Sequence, residues 1–401
     1  MDPWLLVAII ISSLSFIGIV LFVVALIIKK KASKEEKRDP EKEMISAFEE
    51  IPPLSEEDES KLVEIKDKEL IKRINNSVPG ALKAVAGADI SSAIGEVSGS
   101  GSVFQAILPA GAALNKGETM ASSATLLSAS AADKFSRVTA LSTANAIMGV
   151  ASMIVGQYYL SMVDNKLKDM SASIEKITVF QQNEFRSKVY ALVAEAQKIS
   201  TFQVETMENH ELRDRELNHL RSLEHECVEL LGQANLSLQE IALKQGLDFK
   251  AYDKATEDSE GWYQYQQILL RIIKEIADLT YALNLGAITK ENSSALCVPY
   301  IQQSEETNLK LKGWHEENVK RLNINLEENK IKRSGVKGLL MKPLGLFNDK
   351  LNYKEMSKGT VERIEHQSGI SSHPDAVESD LYKEDVTLIA KDGKYYYLPK
   401  K

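Results

Sequence analysis

From Trp4 to Ile28 the chain runs 25 residues without a charged side chain, and Lys29, Lys30 and Lys31 follow at once. As a helix, about 25 residues rise about 37 Å, enough to cross a hydrocarbon core of about 30 Å with some tilt. An all-round apolar helix at a chain end has nothing to bury itself against in water. The run is therefore expected to be a transmembrane anchor over residues 1–31. Trp4, Leu14, Gly18, Phe22 and Ile28 would be embedded, with Lys29, Lys30 and Lys31 at the boundary. A secretory signal peptide fits less well, because it needs a basic start, a shorter apolar stretch and a small-residue cleavage site. The basic residues Lys34, Lys37, Arg38 and Lys42 also follow the run. Because Lys and Arg resist translocation, the N-terminus is predicted outside and the body on the cytoplasmic side of a single-pass plasma-membrane protein.

The remaining composition bounds the partners. The net charge is −8, which argues against nucleic acid, since phosphate recognition needs a basic surface. The two cysteines, Cys227 and Cys297, have neither CxxC spacing nor enough company for a disulfide framework, and a reducing compartment suits them. Residues 32–57 are rich in Lys, Glu, Asp and Pro and read as a charged juxtamembrane linker. Within 58–137, Leu62, Ile65, Leu70, Ile71 and Ile74 predict a short amphipathic helix ending before Pro79-Gly80. The rest of that segment is Ala-, Ser- and Gly-rich. It admits either strands at Ser102–Leu108 and Met120–Leu127 or closely packed helices.

A long-helix bundle is predicted over 138–332. Val138–Val163 is uncharged but carries Ser142, Thr143, Asn145, Ser152 and Gln157. A buried core helix is the favoured reading, and a second membrane-embedded helix is the competitor. Small residues in this stretch, Gly149 and Gly156 among them, let another helix approach closely. Leu167, Met170, Ile174, Ile177, Phe185, Val189, Leu192, Ala196 and Ile199 recur at helical spacing as one stripe, interrupted at Gln181. Leu217–Ile241 and Tyr265–Leu283 supply two more. Such coiled-coil-like seams either hold one bundle together or pair it with a second copy or a protein partner, with Ile174 and Ile177 as the test positions. Residues 304–332 read as a polar fourth helix. In 333–380, basic and apolar residues alternate up to Lys350 and a polar linker follows; the first part would dock on the bundle or lie on an anionic membrane. Within 381–401 two alternating runs flank Asp392-Gly393, a hairpin signal. An isolated hairpin is marginal, so it should pair with the small-residue region, a second copy or a partner. The expected fold class is mainly α: an N-terminal transmembrane helix, an elongated antiparallel helical bundle and a short C-terminal β-hairpin.

No motif points to a reaction. GxxxxGK[ST], HExxH and GxSxG are missing, and Gly99 and Gly101 form a bare GxG. The six histidines are His210, His219, His225, His315, His366 and His373. His219 and His225 are six apart, which places them on different helix faces rather than on one metal. No catalytic residue, metal ligand or cofactor is expected. Phe104–Gly111 (FQAILPAG) and Val150–Tyr159 (VASMIVGQYY) resemble segments of uncharacterised bacterial long-helix proteins. The resemblance implies a helical bacterial protein and no particular activity. The leading expectation is a non-enzymatic, membrane-anchored bundle mediating protein–protein or membrane interaction. The alternatives are a membrane-perturbing effector using Val138–Val163 and an enzyme with a dispersed site.

Overall fold

The computed structural model describes residues 48–78, 80, 81, 84, 102–110, 131–177, 183–332, 353–369 and 380–399. The run expected as an anchor with its flanking lysines, Met120–Leu127 and 333–350 lie outside them. In chain order come β1 (Glu49–Ile51), α1 (Glu56–Lys61), β2 (Val63–Glu64), α2 (Lys68–Ser77), β3 (Val103–Leu108), α3 (Ala131–Lys176) and α4 (Asn183–Ser200). Then follow α5 (Val204–Glu208), α6 (His210–Ala242), α7 (Phe249–Leu283), α8 (Lys290–Ala295) and α9 (Val298–Arg321). Strands β4 (Ile324–Asn325), β5 (Lys330–Lys332) and β6 (Tyr353–Glu355) precede α10 (Lys358–Ser368), a 3-10 turn at Leu381–Lys383, β7 (Val386–Lys391) and β8 (Lys394–Leu398). The protein is mainly helical, a helical bundle with a small antiparallel sheet.

Helix α3, 46 residues long, contains Val138–Val163 and is a core helix. Ile147, Ala151, Ile154, Tyr159, Leu160 and Val163 are all buried, against α2, α4, α7 and the sheet. Among the described residues, no helix is long and apolar enough to cross a membrane. The stripe expected to run on through Gln181 instead stops at Lys176 and resumes at Asn183. The second helix, α4, packs back on α3, with Tyr190 donating to Glu175 at 2.7 Å. A straight helix would have left Ile174 and Val189 on one long seam; folding it back lets both faces bury each other.

Side-chain caps set the other helix starts. Asp67, Asn209 and Asp248 accept backbone N–H bonds at the heads of α2, α6 and α7, satisfying donors that a helix start leaves open. Gly246, at φ +67, makes the turn between α6 and α7, where a Cβ would be strained. These two helices run antiparallel, and α7 also packs on α3, α4, α8, α9 and α10. Its stripe is therefore the centre of a multi-helix core rather than a two-stranded coiled coil. The polar fourth helix is α9; it ends at Arg321, and 324–332 forms β4 and β5 instead. Asn323 and Asn329, both at φ 52, turn the chain there, a conformation asparagine tolerates better than most residues.

The C-terminal hairpin turns through Asp392 and Gly393 at φ 49 and 73, the paired positive values of a type I′ turn. It is the middle of a five-stranded sheet ordered β1-β3-β7-β8-β2. Its principal partner is β3, with Val103 opposite Lys391 and Leu108 opposite Val386. Both outer strands come from the N-terminal part of the body. β1 lies within the stretch expected as linker, and β2 occupies the start of the expected amphipathic helix, which begins only at Lys68. Alternation explains the rescue of the hairpin: Tyr395 and Tyr397 are buried while Tyr396 is half-buried, and Tyr397 meets Tyr158 of α3 edge-on at 5.4 Å.

Candidate functional site

Helix α10 brings a row of polar side chains down onto α7 and α9. Ser357 caps it, and Thr360 and Arg363 both bond the Asp253 carboxylate, at 2.7 and 3.1 Å. One turn on, Gln367 is fully buried. Its amide oxygen accepts from Ser259 Oγ at 2.7 Å and from His315 Nε2 at 3.0 Å. Its amide nitrogen donates to the Thr256 carbonyl at 3.1 Å and to Glu260 Oε2 at 2.7 Å. Since the amide oxygen can only accept, His315 carries its proton on Nε2, and Nδ1 accepts from the Tyr252 hydroxyl at 2.8 Å. Burial pushes the His315 pKa down to about 4, against the pull of the Gln367 hydrogen bond. The imidazole is therefore neutral at pH 7, with both nitrogens engaged.

Glu260 closes the chain at the surface. It is buried and accepts from Gln264 at 2.6 Å and His366 Nδ1 at 3.1 Å as well as from Gln367. Burial opposes its charge, but the bonds from His366, Gln367 and Gln264 outweigh it and hold the carboxyl below its ordinary range. The same hydrogen bond to Glu260 raises His366. That ring stands edge-on to Tyr263 at 4.9 Å and borders a cleft of about 630 Å³ between the ends of α3 and α10 and the middle of α7. Lys176, Arg271, Gln267 and Glu365 are on its walls, and Ile177, Ile268 and Tyr263 provide apolar surface. Its size and mixed lining match those of small-molecule pockets.

A second polar cluster lies nearer the other end of α7. Lys166 reaches Glu275 at 3.2 Å and Asp278 at 3.6 Å, and Lys290 pairs with Asp278. The Lys290 ammonium lies 5.1 Å from the ring centre of Tyr159 and 5.2 Å from that of Tyr281, within cation–π range. Glu275 Oε2 is buried with no hydrogen-bond partner. Burial raises its pKa to about 7, with Lys166 opposing.

Of the residues expected to mediate packing or interaction, Ile174 and Ile177 are buried in the chain's own core. Gly149 is buried on α3. Gly156 sits where a Cβ would come within 2.2 Å of Met207 Cε and 3.3 Å of the Tyr382 hydroxyl. Trp4, Leu14, Gly18, Phe22, Ile28, Lys29, Lys30 and Lys31 lie outside the described residues. His219 and His225 remain on a solvated face, near Glu195 and Glu229. The cysteine thiols donate to the Leu269 and Ile273 carbonyls, and burial raises both pKa values, Cys297 to about 12. At neutral pH both stay protonated, which makes them poor nucleophiles. Among the described residues, no group of His, Cys, Asp or Glu is placed to hold a metal ion.

Sequence reading missed the Tyr252–His315–Gln367–Glu260–His366 chain. His315 and Gln367 are 52 residues apart, and Glu260 and His366 are 106 apart, so no local spacing announces them. The one available signal was Gln367 following directly on a histidine in an amphipathic segment, and that pairing is commonplace. The chain matches no protein-family model, no curated protein and no solved structure, so function has to be argued from its own residues.

Proposed function

We propose that this chain is a membrane-tethered, non-enzymatic helical-bundle protein whose body mediates protein–protein or membrane interaction at the cytoplasmic face. The observation that carries this reading is the uncharged run Trp4–Ile28 followed directly by Lys29, Lys30 and Lys31. Two features of the body favour an interaction role over catalysis. The His315 imidazole has both nitrogens hydrogen-bonded inside the protein, which suits holding α7, α9 and α10 in register. Ile174 and Ile177, at the end of α3, are buried in the chain's own core, which leaves outer faces for partners. The tether also limits reach. Sixteen residues, 32–47, separate Lys31 from Phe48, and even fully extended that stretch spans no more than about 60 Å. That length keeps the body close to the bilayer surface.

A topology map tests the proposal. Reporters fused after Lys42 and at the C-terminus should both score as cytoplasmic, and external protease should leave the body intact in unbroken cells. Full-length protein in the supernatant after high-speed centrifugation of lysed cells, or digestion of the body from outside, rejects it.

A further inference from the structure

The cleft between α3, α7 and α10 has a charge pattern that the bundle itself does not use. Its volume of about 630 Å³ falls within the range of small-molecule pockets, about 300–1,000 Å³. Lys176 and Arg271 both line it and are both exposed. Among the described residues neither forms an ion pair or a side-chain hydrogen bond, whereas lysines elsewhere on the bundle, such as Lys168, Lys188 and Lys254, have carboxylate partners. His366 is a third nitrogen-bearing side chain on the wall. Its Nδ1 is held by Glu260, which fixes the ring, and the same bond raises its pKa. The carbonyl oxygens of Gln264 and Gln267 add acceptors, because their amide nitrogens already donate to Glu260 and Gln266. Opposing charge comes from Glu365 on the rim and from Glu260 behind His366 and Gln264. Tyr263, Ile177 and Ile268 give the cleft an apolar floor.

A guanidinium and an ammonium lining one hollow, beside an imidazole, suit a tetrahedral oxyanion better than a neutral ligand, because Arg binds such groups in a bidentate manner and Lys as a point charge. The apolar floor asks for a compact carbon skeleton beside the charge. We propose that this cleft binds a small organic phosphate, with Lys176, Arg271 and His366 around the phosphate and Tyr263, Ile177 and Ile268 under the organic part. The ligand chemistry is a phosphate monoester, which a free metabolite or a lipid headgroup equally supplies. The assignment stands on the cleft alone and does not depend on the tether.

Isothermal titration of the full chain in detergent with phenyl phosphate, and separately with benzyl alcohol, tests it. Phenyl phosphate should bind and benzyl alcohol should not. Arg271→Ala should weaken phenyl phosphate binding at least 10-fold and Lys176→Ala several-fold. Both residues are exposed, so both variants should melt at the wild-type temperature, which separates lost binding from lost folding. Lys254→Ala, on the same helix but away from the cleft, should bind as wild type. Adding lipid nanodiscs containing phosphatidic acid then separates the sources: competition assigns a lipid headgroup, and unchanged affinity assigns a free phosphate ester. Equal binding of the two probes, no binding of either, or wild-type affinity in both cleft variants overturns the proposal.

Discussion

Helix α7 buries two polar clusters, and they solve the same problem in opposite ways. Toward its N-terminal half, Tyr252, Ser259 and Glu260 meet His315, His366 and Gln367, and each buried donor finds a named acceptor. Toward its C-terminal half, Glu275 and Asp278 face Lys166 and Lys290, and one Glu275 oxygen has no partner. The first cluster is held mainly by hydrogen bonds centred on a neutral histidine and a neutral amide; the second relies on charge pairs. Buried neutral networks lose stability when any one member is removed, because the others are left unsatisfied. Buried ion pairs carry a desolvation cost that a neutral isostere avoids. The comparison therefore predicts that truncation hurts more in the first cluster and that neutralisation is tolerated in the second.

The largest effect should come from His315→Ala, which strands the Tyr252 hydroxyl and the Gln367 amide and opens a cavity, at a cost of about 3 kcal/mol in urea unfolding at pH 7. The wild type adds a pH signature. The unfolded imidazole protonates near 6.5 and the folded one only near 4, so the unfolded state binds more protons in that window. Stability should fall as pH drops from 6.5 to 4, and this component should vanish in the variant. Gln367→Ala comes next, at about 2 kcal/mol, since Ser259 and His315 lose a shared acceptor. A cost below 0.5 kcal/mol for both substitutions would show that the network does not hold α10 in place.

Glu275→Gln should act with the opposite sign. The folded carboxyl keeps its proton to about pH 7 and the unfolded one only to about 4.5. Stability from this group is thus present at low pH and lost as pH rises through 7. The glutamine variant should match wild type at pH 5 and exceed it by about 1–2 kcal/mol at pH 9. A variant less stable than wild type at pH 9 would show that the Lys166 pairing outweighs burial, and the contrast between the two clusters would fail. The smallest effect is expected next to this second cluster. Gly156→Ala should cost about 1 kcal/mol in thermal unfolding, because Met207 can swing its end methyl aside while the Tyr382 hydroxyl is held by the Ala282 carbonyl at 2.7 Å.

The apolar spacing of α6 and α7 was readable because every residue in each stripe is local to its helix. Leu220, Leu223, Cys227 and Leu230 are all buried where the pattern puts them, and the Asp392-Gly393 turn was readable for the same reason. The fold-back after Lys176 was not, since the hydrophobic spacing continues past it and only packing between α3 and α4 favours the reversal. Strands β1 and β2 were hidden by their shortness, three and two residues, and by acidic neighbours that look like linker. Of the cleft, the sequence showed the individual residues and offered no reason to place Lys176, Arg271 and His366 together.

Local order, then, was set by the chain itself: which stretches are helical, and where caps and turns interrupt them. Periodicity and propensity act over a few residues, so they survive in one dimension. Tertiary structure alone decided that β3 shelters the C-terminal hairpin, that His315 is neutral, and that Lys176, Arg271 and His366 border one hollow. Each of those depends on groups tens to hundreds of residues apart, and the free energy of burying a proton or pairing an edge exists only once the chain has brought them together.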